Sequence, residues 1–355
     1  MRGIPALVSV VLVRRLRLRP ALHPLFVPAL ALAAAGFLAL SAPATAQKTT
    51  AQVSVERLLQ AVVEVHSEVH SEARTAKSLG IERAGSGVVI GEEGLIVTIG
   101  YLVLEASAIT VVDHEGRRLS AELVGYDHDS GFGLIRARAT LDVKPLELGS
   151  SARLSERQPV MVASHGGAKS VIAAMVVSRR EFAGYWEYLL ESAIFTSPPH
   201  PNWGGAALIG ADGRLLGIGS LIVGDAVKEE AIPGNMFVPI DLLKPILKDL
   251  LAKGRSSARP RPWLGMHTEE VRGRLFVLRV SSGGPAYAAG IRRGDIVIGI
   301  GDQSVSSMAD LYRRVWAMGE AGIEVPLTVL QGANLRKLVV RSADRYKFLR
   351  MKPRD

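Results

Sequence analysis

The sequence lacks cysteine altogether, which excludes disulfide bonds, thiolate zinc sites, iron–sulfur clusters and a cysteine nucleophile. It also lacks a dense run of basic residues, although 43 Lys and Arg against 34 Asp and Glu give a net charge of +9. Without a basic face, we expect no nucleic-acid partner. A charged fraction of 22% beside 48% apolar residues excludes a disordered chain, and a length of 355 residues favours two domains.

The N-terminal segment contains several arginines and no acidic residue before position 47. An apolar stretch over residues 21–40 follows these arginines, and Ala44, Thr45 and Ala46 then form a small-residue cleavage site. This order predicts a signal peptide over 1–46, so the rest of the chain is expected in the periplasm or an equivalent exported location. The alternative is an uncleaved segment that anchors the chain in the membrane, because the stretch is about long enough to span one.

Short apolar runs bounded by glycine and acidic turn residues dominate the chain from about Val53 to Ile240. Their length and regular spacing are typical of strands in an antiparallel barrel or sandwich. A helix is expected over 239–252, with Gly254 as its stop signal. Residues 253–261 contain no large apolar side chain and predict a linker, so the first domain covers 47–252, the second 262–345, and a basic tail 346–355.

The second unit alternates strand and helix patterns. Strands are expected near 275–280, 295–300, 325–329 and 337–341, with a helix over 308–317. The four apolar residues Met308, Leu311, Tyr312 and Val315 recur at helical spacing. We expect two of them to face the core and two to face a groove; the alternative is that all four belong to the core.

Acidic and imidazole side chains alternate with smaller residues near the start of the first domain, at Glu64, His66, Glu68 and His70. Two histidines four residues apart on a helix would suggest metal ligands. The alternation with Val63, Val65, Ser67 and Val69 instead indicates a strand with one wet face. We therefore expect no metal site, and nothing in the sequence predicts a cofactor.

Several short motifs occur in a characteristic order. Gly85, Ser86 and Gly87 precede a strand that ends at Ile90, and a Gly-Leu-Ile-Val-Thr run follows over 94–98. Further along are a Gly-Tyr-Asp turn at 125–127, a Leu-Gly-Ser segment at 148–150 and a Trp-Leu-Gly-Met loop at 263–266. The ordered set resembles the HtrA/Deg family of secreted trypsin-like serine proteases. The resemblance implies a mainly β fold, with a double β-barrel followed by a small α+β PDZ domain.

The resemblance also assigns positions to a catalytic Ser-His-Asp triad, and this sequence departs from all three. Tyr101 stands where the family has its histidine, Gly131 where it has its aspartate, and Gly204 where it has its serine. Glycine offers neither a nucleophile nor a carboxylate, and a tyrosine with an ordinary pKa near 10 is a poor base at neutral pH. The sequence therefore predicts a degenerate catalytic site with no catalytic residue.

Other polar residues near these loops are candidate replacements for the triad residues. His128, Ser197 and His200 are expected to be solvated loop residues, because a triad requires three groups within hydrogen-bond reach. His165 is expected to be structural. Trp203, beside the vacated serine position, is expected to fill part of the cleft.

The PDZ resemblance assigns peptide binding to Trp263, Leu264, Gly265 and Met266. PDZ domains add an extended peptide as a strand and hold its terminal carboxylate with backbone N–H groups. Arg259 and Arg261 precede this loop and are expected to reinforce its positive field. Expected ligands are unfolded polypeptides or the C-terminal ends of peptides.

The leading interpretation is therefore a secreted pseudoprotease that binds peptides, with a role in envelope protein quality control. The alternatives are an active serine endopeptidase and a holdase chaperone that shares the inactive scaffold. The family resemblance implies a homotrimer, and association with an active paralogue is an equally open prediction.

Overall fold

A computed structural model describes residues 55–349 of the chain. The signal peptide predicted over 1–46 and residues 350–355 of the predicted tail lie outside the described residues. Within the described part, no helix is both long and apolar enough to cross a membrane.

Strand β1 shows how the sequence pattern builds the first barrel. Val63, Val65 and Val69 point into the core, whereas Glu64 and His66 lie on the outer face, which confirms the predicted strand. Six antiparallel strands close this barrel in the order β1-β2-β3-β6-β5-β4. They are β1 (Val62–Val69), β2 (Glu82–Gly91), β3 (Leu95–Ile99), β4 (Ala106–Val112), β5 (Arg118–Tyr126) and β6 (Phe132–Ala137).

The second barrel repeats this closure with strands β7 to β12, in the order β10-β11-β12-β9-β8-β7. Its two longest strands, β8 and β9, form a hairpin whose tip is Tyr185, Trp186 and Glu187. This hairpin was not predicted from the sequence. The strands are β7 (Pro159–Ala163), β8 (Val171–Gly184), β9 (Tyr188–Ser197), β10 (Ala207–Ile209), β11 (Leu215–Val223) and β12 (Gly234–Pro239).

The third unit is a sheet in the order β13-β14-β15-β17-β18, with β16 paired to β15. Leu275, Val325, Val329 and Val340 are fully buried between this sheet and its helices. The predicted α+β architecture is therefore confirmed. The strands are β13 (Met266–Val271), β14 (Arg274–Val280), β15 (Ile296–Ile300), β16 (Gln303–Ser304), β17 (Glu324–Gln331) and β18 (Asn334–Arg341).

The α-helices are short, and one differs from its prediction. The expected helix over 239–252 is broken, because Pro245 lacks an N–H group and its ring disfavours helical geometry in the residue before it. A 3-10 turn covers Ile240–Leu242, and the α-helix begins only at Leu247. The labelled helices are α1 (Ala76–Leu79), α2 (Leu247–Lys253), α3 (Pro285–Ala288), α4 (Met308–Ala317) and α5 (Arg345–Phe348).

The segment predicted as a linker is held by specific contacts. Arg255 pairs with Asp344 at 3.0 Å, and Arg261 pairs with Asp129 of the first barrel at 3.2 Å. The hydroxyl of Tyr346 in α5 donates to the carbonyl of Tyr126 at 3.1 Å. These contacts seat the third unit directly on the barrels.

Candidate functional site

The structure brings Tyr101 and Gly204 together in the crevice between the barrels. Tyr101 lies in a 3-10 turn after β3, and Gly204 lies in the loop between β9 and β10. A Cβ atom added to Gly204 would be 3.0 Å from the Tyr101 hydroxyl, so the phenol fills the space beside this glycine. The hydroxyl donates to the carbonyl of Ser220 at 2.9 Å, and the side chain of Trp203 bonds to it. Burial raises the pKa of Tyr101, which keeps the phenol protonated at neutral pH.

Gly131 lies in the turn before β6, next to the 3-10 turn that carries Tyr101. Its carbonyl accepts from the N–H of Gly100 at 2.7 Å, and its own N–H donates to Asp127 at 2.8 Å. Its φ of 81° is in the left-handed region that favours glycine. The hydroxyl of Tyr188 would be 3.2 Å from an added Cβ, and this hydroxyl donates to the carbonyl of Ser130 at 2.6 Å. The turn that carries Tyr101 therefore contacts both other assigned positions, which are bare backbone, whereas Tyr101 itself is a phenol bonded to Ser220.

A second polar cluster lies behind the same loop and was not predicted. The Ser86 hydroxyl is 3.1 Å from Nδ1 of His165, and Nε2 of His165 is 3.4 Å from a carboxylate oxygen of Glu64. The N–H of Ser86 also donates to the carbonyl of Gly204 at 2.8 Å. With the imidazole proton on the nitrogen that faces Glu64, Nδ1 accepts from the serine hydroxyl. The cluster therefore has the order of groups found in a hydrolytic triad.

The Ser86 hydroxyl differs from a working nucleophile because a substrate has no access to it. Ser86 has 0% of its surface exposed, and its oxygen also accepts the backbone N–H of His165 at 3.0 Å. The distance of 3.4 Å between His165 and Glu64 is long for a hydrogen bond, and Glu64 lies closer to His66, at 2.9 Å. A substrate carbonyl cannot reach this hydroxyl unless the loop around Gly204 moves.

The expectation that the other loop residues are solvated was wrong for His128 and His200. His200 is 2% exposed, and its Nε2 is 3.1 Å from the carbonyl of Ser170. His128 packs between the rings of Tyr126 and Tyr346, and burial lowers its pKa well below the ordinary value. Ser197, the last residue of β9, is half-buried and donates to the carbonyl of Pro233 at 2.9 Å. The two histidines serve the packing of their loops, because neighbouring elements cover them.

The PDZ loop presents three backbone donors to one carboxylate. Leu264 donates to Glu187 at 2.9 Å, Gly265 at 2.7 Å and Met266 at 2.9 Å. Trp263 does not take part, because its N–H donates to the carbonyl of Ala343 and its ring packs on Phe348. Three of the four residues assigned to peptide binding therefore donate from one loop, as backbone N–H groups. The carboxylate that they hold could not be predicted from the sequence.

Glu187 comes from the tip of the β8–β9 hairpin of the second barrel. Burial raises its pKa to about 7, whereas the three N–H bonds and the nearby Arg345 act in the opposite direction. The two arginines expected to strengthen this loop have partners elsewhere. Arg259 pairs with Glu320 at 3.1 Å, and Arg261 pairs with Asp129.

An apolar pocket lies beside the held carboxylate, between β13 and α4. Of the four helical residues considered, Leu311, Tyr312 and Val315 line it, whereas Met308 packs against the core. The expected division into two and two was therefore wrong. All three lining residues also belong to the core, because a helix laid across a small sheet shares its apolar stripe between the two surfaces.

Within residues 55–349, no group of three or more His, Asp and Glu side chains is placed to hold a metal ion. Glu64 and His66 pair with each other, and the alternation along β1 puts them on the outer face of the strand.

Comparisons with known proteins agree with this architecture. Residues 85–218 match the family described as a trypsin-like peptidase domain, and residues 262–341 match the PDZ domain family. The "Probable periplasmic serine endoprotease DegP-like" of Halomonas elongata is 28% identical over 279 residues, covering 73% of this chain and 56% of the relative. The serine protease PepD of Mycobacterium tuberculosis is 26% identical over 255 residues, covering 65% of this chain and 54% of the relative. This chain thus spans little more than half the length of either relative.

Among solved structures, a variant of the HtrA-type protease AlgW with tripeptide superposes with a TM-score of 0.50 at 22% identity. The alignment covers 84% of this chain and 97% of that one, and the likeness concerns the fold. A trypsin-like peptidase domain, a PDZ domain after it and relatives of the HtrA and DegP type together support an HtrA/Deg family protein.

Proposed function

We propose that this chain is an exported pseudoprotease of the HtrA/Deg type, which acts by binding peptides in its PDZ groove and serves protein quality control in the envelope. The observation that carries the proposal is the Tyr101 phenol beside Gly204. No side chain at Gly204 or Gly131 can attack a carbonyl or orient a base. Removal of a complete triad lowers turnover by about 10⁶-fold in a well-measured protease, so the remaining backbone groups supply little catalysis.

The PDZ part of the proposal is supported by the three N–H groups of the loop and by the adjacent apolar pocket. A carboxylate and an apolar side chain are the two features that the end of a peptide presents to such a site. Export is supported by the predicted signal peptide over 1–46 and by the periplasmic names of relatives. A homotrimer or an association with an active paralogue is part of the same proposal, as is a holdase role for the barrels.

The test of inactivity is incubation of the purified chain with casein, with trypsin as the positive control. We expect no cleavage above a blank that contains no protein. Turnover that co-purifies with the chain through successive columns contradicts the proposal.

One observation favours a second candidate function, a serine hydrolase that uses Ser86, His165 and Glu64. The distances of 3.1 and 3.4 Å place hydroxyl, imidazole and carboxylate in sequence, although Ser86 is fully buried. The variant Ser86→Ala distinguishes the pseudoprotease from the serine hydrolase. Casein turnover that is present in the natural chain and lost in this variant establishes the hydrolase.

A further inference from the structure

The contact between Glu187 and the PDZ loop has the chemistry of ligand recognition. Both of its carboxylate oxygens accept N–H groups, one from Leu264 and the other from Gly265 and Met266. Consecutive N–H groups of this kind form a nest for an anion. In this structure the anion is supplied by the chain itself, from a residue 77 positions before the start of the nest.

The same hairpin also occupies the edge of β13, where an added peptide strand would pair. The N–H of Thr268 in β13 donates to the carbonyl of Tyr185 at 3.0 Å, and the Tyr312 hydroxyl of α4 donates to the carbonyl of Gly184 at 2.9 Å. Backbone pairing with β13 and capture of a carboxylate are the two interactions that define strand addition to a PDZ domain. The hairpin tip makes both at once.

The local conformation of Glu187 indicates that this contact is specifically built. A three-residue hairpin loop normally ends on a residue in the left-handed region, and glycine is favoured there. Here the position carries glutamate at φ 57°, and its carboxylate is also desolvated enough to raise the pKa to about 7. The alternative, an incidental surface contact, does not explain why an acidic side chain occupies a strained position and reaches three donors.

Neighbouring contacts hold the hairpin in place. Arg345 of α5 donates to the carbonyl of Trp186 at 3.1 Å, and Arg313 of α4 pairs with Glu181 and Glu191 on the two strands of the hairpin. Leu189 is buried in the PDZ core. The hairpin therefore joins the second barrel to the PDZ groove.

We infer that Glu187 is a built-in competitor of peptide ligands, which keeps the PDZ groove closed until a free C-terminal carboxylate displaces the hairpin. The inference rests on the proposed peptide binding at this groove. A competing peptide gains what the hairpin lacks, which is an apolar terminal side chain to fill the pocket formed by Leu311, Val315 and Trp316. The expected ligand class is a peptide with an apolar last residue and a free carboxylate.

The test measures binding of a fluorescein-labelled nonapeptide pool, randomised at its last four positions, by anisotropy with the full chain. The pool is prepared with free carboxylates and again with C-terminal amides. The proteins are the natural chain, Glu187→Ala, the isosteric Glu187→Gln and the control Glu122→Gln. The exposed carboxylate of Glu122 pairs with Arg138. We expect the free-acid pool to bind Glu187→Ala at least tenfold more tightly than the natural chain, and the control to match the natural chain.

Each outcome is decisive. Equal or weaker binding by both Glu187 variants overturns the competitor inference, while carboxylate-dependent binding by all four proteins leaves the proposed function standing. Absence of binding by all four proteins overturns the proposed function as well. If Glu187→Ala fails to fold, Glu187→Gln decides, because it keeps the size of the side chain.

Hydrogen exchange in the natural chain supplies a second readout. The amides of segment 184–188 should exchange faster when the free-acid pool is bound, because the hairpin leaves the groove. Bound peptide with unchanged exchange in this segment overturns the inference.

Discussion

The crevice between the barrels and the PDZ loop differ in which part of the residue supplies the functional groups, the side chain in the first and the backbone in the second. In the crevice, the assigned positions depend on side chains, and Gly131, Gly204 and Tyr101 supply none of the required groups. In the PDZ loop, the donors are the backbone N–H groups of Leu264, Gly265 and Met266, which do not depend on side-chain identity. A site made of side chains is sensitive to substitution, whereas a site made of backbone N–H groups is not. On the proposed account, the first site is lost in this chain, and the second is controlled by what occupies it.

The largest expected effect compares two glycines that share a φ of 77°, Gly205 in the crevice and Gly265 in the PDZ loop. A Cβ on Gly205 would collide with the carbonyl of Ser86, whereas a Cβ on Gly265 would lie 3.2 Å from the ring of Trp263. We expect Gly205→Ala to lower the free energy of unfolding by more than about 3 kcal/mol, and Gly265→Ala by about 1–2 kcal/mol. Urea denaturation measures both, and equal losses would contradict the tight packing of the crevice.

The second effect concerns pH. Glu187 has a pKa near 7 when the hairpin is docked and an ordinary value of 4.5 when it is exposed, so the docked state binds the proton more tightly. Docking is therefore strongest below pH 4.5 and weakens as the pH rises to 7. A peptide carboxylate, with a pKa of about 3.5, stays ionised throughout this range. We expect the natural chain to bind the free-acid pool about tenfold or more tightly at pH 7.5 than at pH 5.

This pH profile has a specific control. The charged and titratable groups near the docked hairpin tip are Arg345, Tyr312, His267 of β13 and the pair of Asp129 with Arg261. Further along the hairpin, Arg313 pairs with Glu181 and Glu191. Burial raises the pKa of Asp129 to about 6, so it titrates in the same window. Asp129→Asn should keep most of the pH dependence and Glu187→Ala should lose it; an unchanged profile in Glu187→Ala would refute the assignment.

A smaller effect is expected from the hydroxyl that anchors the hairpin tip. Tyr312→Phe removes the bond to the carbonyl of Gly184 and keeps the ring in the groove. The net value of such a hydrogen bond is about 1 kcal/mol, so affinity for the free-acid pool should rise about fivefold. Anisotropy titration measures the change. A decrease in affinity would indicate that this hydroxyl serves the ligand instead of the hairpin.

The smallest effect is expected at the exposed ion pairs of Arg313 with Glu181 and Glu191. Pairs in contact with water contribute little, because solvent screens them. Arg313→Ala should raise affinity for the pool by less than about threefold. An effect larger than that of Tyr312→Phe would show that the hairpin is held mainly by charge.

The sequence was sufficient where local pattern determines structure. Alternation along Val63, Val65 and Val69 predicted β1, and helical spacing predicted Met308–Ala317 with its observed bounds. The helix predicted over 239–252 was wrong in its first part, because Pro245 interrupts the helix despite the helical spacing of the apolar residues. Both barrels follow from many short strands, and their motif order pointed to the family.

The two contacts on which the candidate functions rest could not be predicted. The β8–β9 hairpin has polar residues within its strands and no Asn-Gly or Asp-Gly turn at its tip, so its pattern was not recognised as a strand pair. Glu187 and Leu264 meet only after both domains have folded and docked. The Ser86–His165 contact likewise joins residues 79 positions apart, from different barrels.

The central claim, that the barrels expose no activated serine, is tested most directly by a fluorophosphonate probe, which labels a serine hydroxyl only when a base activates it and a reagent can reach it. The account predicts that the folded chain stays unlabelled, like its Ser86→Ala variant, under conditions that label trypsin completely. Stoichiometric labelling of a barrel serine, mapped to Ser86 or to any other position by mass spectrometry, would contradict it.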